Sequence, residues 1–300
     1  MASALKLQRA RSISTRADAD PQIPERRFGA WPLWLVPSAW VRIMLIYRWR
    51  HGRWPRLRDP QRFTELVQIR KLYNRDPRLP ELSDKVRVKA HVAALLGSEW
   101  VLPTLWFGRE LLPAPPGPMP LVVKARHGCG QIAFVRSGTD WEVARRRAPR
   151  WLRRAYGRWL DEWAYTRIPR GVLVEPMIGD GRTLPVDYKF IVIGGRVACI
   201  EVHHDRGSAH CWSVFDREWT LLSTPKALPP APPKTLATMI AAAERLGAAH
   251  DCVRVDLYEV DGRPMFGEMT FYPGSGVKPI QPVALDLRMG AAWLAAAPRL

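Results

Sequence analysis

The sequence predicts a mixed α+β protein, and three observations carry that prediction. The N-terminal third reads as helical, the middle holds short apolar runs joined by glycine turns, and helices return between and after those runs without regular βαβ alternation. With 47% hydrophobic residues and 14 tryptophans, 300 residues can bury a sizeable core in one large domain or two lobes.

Residues 1–28 are polar and rich in Arg, Ser and Asp, so a disordered basic arm is expected there. The run 31-WPLWLVPSAWVRIMLIY-47 contains Pro32, Pro37 and Arg42 and does not read as a membrane span. It predicts a helix docked on the core, and its internal aromatics and flanking arginines make it a candidate for peripheral contact with a membrane face. Helical patterning continues over 61–110, with Ser83 and Asp84 as the N-cap of a helix over 85–97 and Gly97 as its stop. Proline-rich loops at 113–120 and 229–234 bracket the next region. Strands are expected at 121–125, 131–135, 172–176, 186–193 and 196–203. A helix over 141–163 would carry Trp151, Trp159 and Trp163 on one side and arginines on the other. A helix over 234–249, strands near 252–259 and 264–270, and a helix near 282–297 complete the order. The expected division is an arm (1–28), a helical region (29–115), a small α+β subdomain with a glycine-rich loop (116–176) and a C-terminal subdomain (177–300).

The balance of 46 basic against 28 acidic residues gives +18, which admits polyphosphates, anionic lipid and nucleic acid as partners. Only 9 of the basic residues are lysines, so each lysine departs from the chain's habit. Lysine brings a compact charge to a single oxygen where arginine brings a planar fork. Lys124 stands directly before the glycines of 121-LVVKARHGCGQIAFV-135. Those glycines lead into a strand, which excludes the phosphate loops that open a helix. A glycine turn between strands can still lower its N–H groups over phosphates, with a lysine reaching the same oxygens; an ordinary glycine hairpin is the alternative.

In 252-CVRVDLYEVDGRPMFGEMT-270, period-2 alternation puts Arg254 and Asp256 on one face of a strand. Pairing across the Asp261-Gly262 turn can bring Glu268 beside Asp256, and two hard carboxylates together suit Mg²⁺ that also holds phosphate oxygens. Solvent-facing carboxylates are the alternative. Other signals are weaker. The four cysteines form no CxxC pair, and His203, His204, His210 and Cys211 match no usual zinc spacing. Asp18-Ala19-Asp20 lies in the polar arm with no strand beside it, and the Trp/Arg interleaving over 141–163 has no nucleic-acid motif with it.

The segments VVKARHGCG, VLVEPMI, VDYKF and RVDLYEVDGRPMFGEMTFYPGSG, in that order and spacing, resemble the ATP-grasp superfamily and specifically its TupA-like branch. The upstream QRFTELVQIRKLYNRDPRLPELSDKVRVKAHV resembles the same branch, so the likeness covers about residues 60–290. The resemblance implies the ATP-grasp fold, two α+β subdomains clasping ATP beside a helical N-terminal region. It implies that Lys124 holds the α/β-phosphates, with His127, Gly128 and Gly130 in the loop above them. Glu175, Pro176 and Met177 would meet the adenine edge and Asp180 the ribose. Asp187 and Lys189 would face the phosphates, Asp256 and Glu268 would bind Mg²⁺, and Arg254 would stabilise an acyl phosphate. Lys85, Asp205, Arg206 and His210 are the implied substrate contacts.

The implied activity is carboxylate–amine ligation by a cytoplasmic enzyme, working in cell-surface polysaccharide or peptide-polysaccharide assembly with an anionic polysaccharide as a fitting acceptor. Thr270 stands where related ligases carry a metal-binding Asn, and ARHGCG stands where ANHGSG is the nearer pattern, so Arg126 and Cys129 depart from it. Those departures leave open a non-catalytic nucleotide- or polyanion-binding module, and the pathway context leaves open a glycosyltransferase-like protein.

Overall fold

The structure, a computed structural model, describes residues 38–153, 156–179, 181, 183–206, 210–223 and 228–297. The expected arm over 1–28 and Asp180 lie outside the described residues. Helix α1 (Ala39–His51) opens on Ser38, whose Oγ accepts from the Val41 amide, and closes on Gly52 in the left-handed region at φ 69°. Helices α2 (Phe63–Tyr73), α3 (Arg78–Ser83) and α4 (Val88–Leu96) follow. The helix expected from residue 85 begins three residues later. Ser83 ends α3, and the Asp84 carboxylate turns onto the Val86 and Arg87 amides at 3.0 and 3.5 Å, shaping a turn ahead of α4.

Strands β1 (Trp106–Gly108), β2 (Leu121–Ala125), β3 (Ile132–Val135) and β4 (Val172–Pro176) form an antiparallel sheet in the order β1-β4-β2-β3. Helix α5 (Gly138–Leu152) covers one face, where Leu121, Val123, Val172 and Val174 pack against Trp141, Ala144 and Ala148. Alternation turns Val122, Lys124 and Glu175 to the other face. The helix predicted to reach residue 163 ends at Leu152. Gly157 turns the chain at φ 79°, where a Cβ would meet the Glu162 carbonyl at 2.8 Å, and Trp163 starts the separate α6 (Trp163–Arg167).

A second antiparallel sheet runs β7-β6-β5-β8-β9, made of β5 (Asp187–Ile193), β6 (Arg196–His204), β7 (Cys211–Phe215), β8 (Cys252–Val260) and β9 (Arg263–Thr270). The expected strands at 186–193, 196–203, 252–259 and 264–270 are all present. Helices α7 (Leu236–Gly247) and α8 (Val283–Ala296) pack on this sheet, and Phe63, Val67 and Val92 of the N-terminal helices share one apolar core with Phe190, Val255, Met239 and Trp293.

Polar locks tie α2 to that core. Arg70 is buried, donates to the carbonyls of Cys252 and Phe271 at 2.8 and 2.9 Å, pairs with Asp251 and stacks on Trp293 at 4.3 Å. The Thr64 amide and hydroxyl both donate to Asp286 at 3.0 Å. Arg70→Ala would leave two carbonyls and a carboxylate without their cation. Removing one partner of a buried pair costs roughly 3–5 kcal/mol, so urea unfolding should show a loss of that order. A loss below about 1 kcal/mol would show that the lock is dispensable.

Burial lowers His51 and His250 to about 4 from the ordinary 6.5. Between those values the unfolded chain binds protons that the folded chain does not. Their contribution is complete above about 6.5 and declines as pH falls towards 4, by about 1.4 kcal/mol per pH unit for each proton. Melting temperature should therefore fall over that window, and His250→Gln should flatten the fall; an unchanged slope would refute the assignment to His250.

Candidate active site

The two sheets line a common cleft that opens to solvent. Its lining mixes apolar side chains (Val122, Ile132, Phe134, Met177, Ile178 and Leu184) with charged ones (Lys124, Lys189, Arg254, Asp256 and Glu268). Such a lining suits a ligand that carries both an apolar ring and anionic groups.

The charged wall follows from strand register. Lys189 lies opposite Asp256 between β5 and β8, and Asp256 opposite Glu268 between β8 and β9, so three neighbouring strands present them in a row. The expected neighbours are together, but through a register shift between Asp256 and Leu257: on the turn side Leu257 faces Phe266, and past the bulge Asp256 faces Glu268. Lys189 Nζ is 2.8 Å from Asp187 and 2.7 Å from Asp256. Arg254 grips Asp256 through two hydrogen bonds of 2.6 and 2.7 Å and donates to Glu268 at 2.8 Å. The Thr270 hydroxyl donates to Glu268 Oε1 at 3.2 Å.

Burial pulls the Lys189 amine down, but Asp187 and Asp256 outweigh it and hold the pKa well above the usual lysine value. Burial likewise pushes the Glu268 carboxyl up, and Lys85, Arg254 and Lys189 together hold it at about 2. Glu268 Oε2 has Lys85 at 3.7 Å. No group of three or more His, Cys, Asp and Glu side chains forms a metal cage among the described residues. Asp256 and Glu268 are nevertheless two adjacent hard carboxylates of the kind that fit Mg²⁺, which takes few protein ligands and fills its sphere with water and phosphate oxygens.

On the opposite wall Lys124 Nζ is 2.7 Å from Glu175, which also pairs with Lys89. Burial pulls the Lys124 amine down and Glu175 more than reverses this, so its pKa is raised; the two lysines hold the Glu175 carboxyl low against the effect of burial. Glu175 thus shares the cleft face of the sheet with Lys124 but lies beneath the lysines, while Pro176 and Met177 reach the cleft wall. Lys89 was not singled out by the sequence. It is also held by the Leu102 carbonyl and Thr104 at 2.8 and 2.6 Å, and its rarity as a lysine was the one available signal.

The glycine loop is held from outside its own sheet. Lys85 donates to the Gly128 carbonyl at 2.6 Å, and Arg126 forks onto Asp84, at 2.7 Å through Nε and 2.6 Å through Nη2. Gly128, Cys129 and Gly130 line the cleft. His127 does not; it is buried and hydrogen bonds the Trp151 carbonyl at 3.2 Å on the α5 side. Arg206 and His210 line the cleft, Arg206 donating to Asp187 at 3.0 Å and His210 sitting 3.0 Å from His203. Asp205 is outside the lining and pairs with His204 at 2.7 Å. Alternation along β6 separates His203 from His204, which breaks up the cluster considered for zinc.

A sequence model of the TupA-like ATPgrasp family matches residues 65–294, most of the chain. The chain belongs to the TupA-like ATP-grasp family. The two antiparallel sheets and the cleft between them are this family's ATP-grasp fold. Solved structures similar to this TupA-like protein include an L-amino acid ligase from Bacillus licheniformis, with 17% identity and a TM-score of 0.47 over 77% of this chain and 55% of that one. A D-alanine–D-alanine ligase from Bacillus anthracis has 15% identity and a TM-score of 0.45 over 72% and 65%. A D-cycloserine synthetase has 19% identity and a TM-score of 0.43 over 73% and 70%. The chain therefore spans just over half to about two thirds of the first two. No curated protein matches it.

Asp84→Asn keeps the shape of the clamp and removes its charge. Hydrogen exchange at residues 126–130 should then accelerate while the large-sheet strands keep their protection. Unchanged exchange in the loop would show that Arg126 and Asp84 do not order it.

Proposed function

We propose that the protein is an ATP-dependent carboxylate–amine ligase that works through an acyl phosphate. The observation that carries this reading is the meeting, in one cleft beneath a glycine loop, of Lys124 from the small sheet with Lys189, Arg254, Asp256 and Glu268 from the large one. The apolar walls would take the adenine, and Lys124 and Lys189 the phosphate oxygens. Asp256 and Glu268 would hold Mg²⁺, which when bound supplies charge neutralisation on those oxygens. A substrate carboxylate would attack the γ-phosphorus, releasing ADP, and Arg254 would stand beside the phosphoryl oxygens. An amine would then displace phosphate from the acyl group to give the amide. Arg206 and His210 border this region and are the proposed substrate contacts.

Arg126 does not crowd the phosphate end, because its guanidinium is docked on Asp84. That placement supports turnover over a module that has lost it. The proposed acceptor is an anionic cell-surface polymer or its precursor, on the side of the membrane that supplies ATP. Lys85, Lys124, Lys189, Arg206 and Arg254 on the cleft and the overall charge of +18 support an anionic substrate.

Thermal unfolding tests the nucleotide site without knowledge of the acceptor. Mg-ATP at about 100 times its dissociation constant should stabilise the protein by about 2.7 kcal/mol, and Lys124→Ala and Glu268→Ala should each abolish the shift. A shift with a UDP-sugar and none with Mg-ATP would overturn the ligase reading. With ATP bound, candidate carboxylates and amines can be screened by release of ADP and phosphate.

A further inference from the structure

Helix α1 buries Ile43, Ile46 and Tyr47 and turns a second apolar face outward. Trp40 is 44% exposed, Val41 38%, Leu45 38% and Trp49 45%; Trp54, just past the helix, is 53% exposed. At 100° per residue, positions 40, 41, 45 and 49 fall within one half of the helix circumference, and the exposed polar residue among them is Arg48. Single exposed apolar residues are ordinary, but two tryptophans, a leucine and a valine on one arc are not.

The charge around this arc selects its occupant. From Ser38 to Arg58 there are six arginines and no acidic residue. Arg42 and Arg53 are committed inward to Asp161 and Glu65, whereas Arg48, Arg56 and Arg58 are exposed. A second copy docked on the same face would set like charges against like. The preceding 37 residues carry six basic and three acidic side chains and would bring further positive charge. An anionic bilayer surface supplies both an apolar boundary for tryptophan rings and negative headgroups for the arginines. No helix among the described residues is long and apolar enough to cross a membrane.

We infer that α1 and the arginine-rich segment behind it form an interfacial anchor: Trp40, Leu45 and Trp49 enter the headgroup region of an anionic membrane leaflet, and Arg48, Arg56 and Arg58 bind its headgroups. The helix lies along the surface with its inner face still docked on the protein. This holds whether or not the cleft performs ligation.

Co-sedimentation of the full chain with phosphatidylcholine vesicles, with and without phosphatidylglycerol, tests it. The chain should pellet with the anionic vesicles and largely stay in solution with the neutral ones. The triple variant Trp40→Ser, Leu45→Ser, Trp49→Ser should bind at least about tenfold more weakly, since three interfacial contacts are lost. Its melting temperature is followed alongside, because each of these side chains is also partly packed on the protein; if it falls, Trp49→Ser alone provides the same comparison. Triple Arg48→Gln, Arg56→Gln, Arg58→Gln should remove the preference for phosphatidylglycerol. Failure of the wild type to pellet with either vesicle, or undiminished binding by the apolar variant, overturns the proposal. So does a dimer in light scattering that the apolar variant converts to monomer, which would give the face to a second copy.

Discussion

Everything at the cleft depends on charges that have left water. Lys189 is nearly buried between Asp187 and Asp256, and Arg254 bridges Asp256 to Glu268. Each ion loses several kcal/mol of hydration and stays charged because its neighbours replace that hydration at hydrogen-bond distance. Strand register is fixed by the same arrangement, since slipping β8 by one residue would send Arg254 and Asp256 to the opposite face and leave Lys189 with Asp187 alone. The charged wall is therefore built into the fold with its groups already oriented.

The small sheet repeats the device with one carboxylate and two lysines. Glu175 anchors Lys124 towards the cleft and Lys89 behind it, and Lys89 in turn fixes the chain at Leu102 and Thr104. Between the two walls stands Lys85, bonded to the Gly128 carbonyl and 3.7 Å from Glu268. Its neighbour Asp84 holds Arg126. The turn before α4 thus belongs by its core to the large sheet and by its polar contacts to the glycine loop. A helical region that reads as an appendage in the sequence is, physically, the piece that couples the two sides of the cleft.

The parts of the site legible in the sequence were those governed by short-range periodicity. Alternation put Arg254 and Asp256 together, and the scarcity of lysine pointed to Lys124; the Asp261-Gly262 turn joins β8 to β9, but its own register would set Gly267 opposite Asp256, and a bulge between Asp256 and Leu257 brings Glu268 there instead. What was hidden depended on long-range contact. Nothing near Arg126 announces that Asp84, 42 residues earlier, will take its charge. His127 follows the loop motif in sequence, yet its ring serves the α5 side. Strands β1 and β7 are short edge strands, and β7 begins at a cysteine that drew attention as a metal ligand. The end of α5 was missed because tryptophans at helical spacing continue past Gly157, whose backbone conformation outweighs them.

The two basic residue types divide the work according to their shapes. Where the fold needs a planar fork to satisfy several oxygens at once it uses arginine: Arg70 spans two carbonyls and Asp251, Arg126 clamps Asp84, and Arg254 grips Asp256. Where a single point charge meets one or two oxygens at the cleft wall it uses lysine, at positions 85, 124 and 189. The surplus that makes the chain strongly basic lies elsewhere. Arg146, Arg150 and Arg153 are exposed on or just past α5, which packs on the face of the small sheet opposite the cleft, and Arg48, Arg56 and Arg58 are exposed on or after α1. Cleft cations are largely neutralised by the carboxylates that position them, so the long-range field of this molecule comes from its outer arginines. That field can bring the protein to an anionic surface at a distance of about a Debye length, whereas the paired lysines act only on a group already within the cleft.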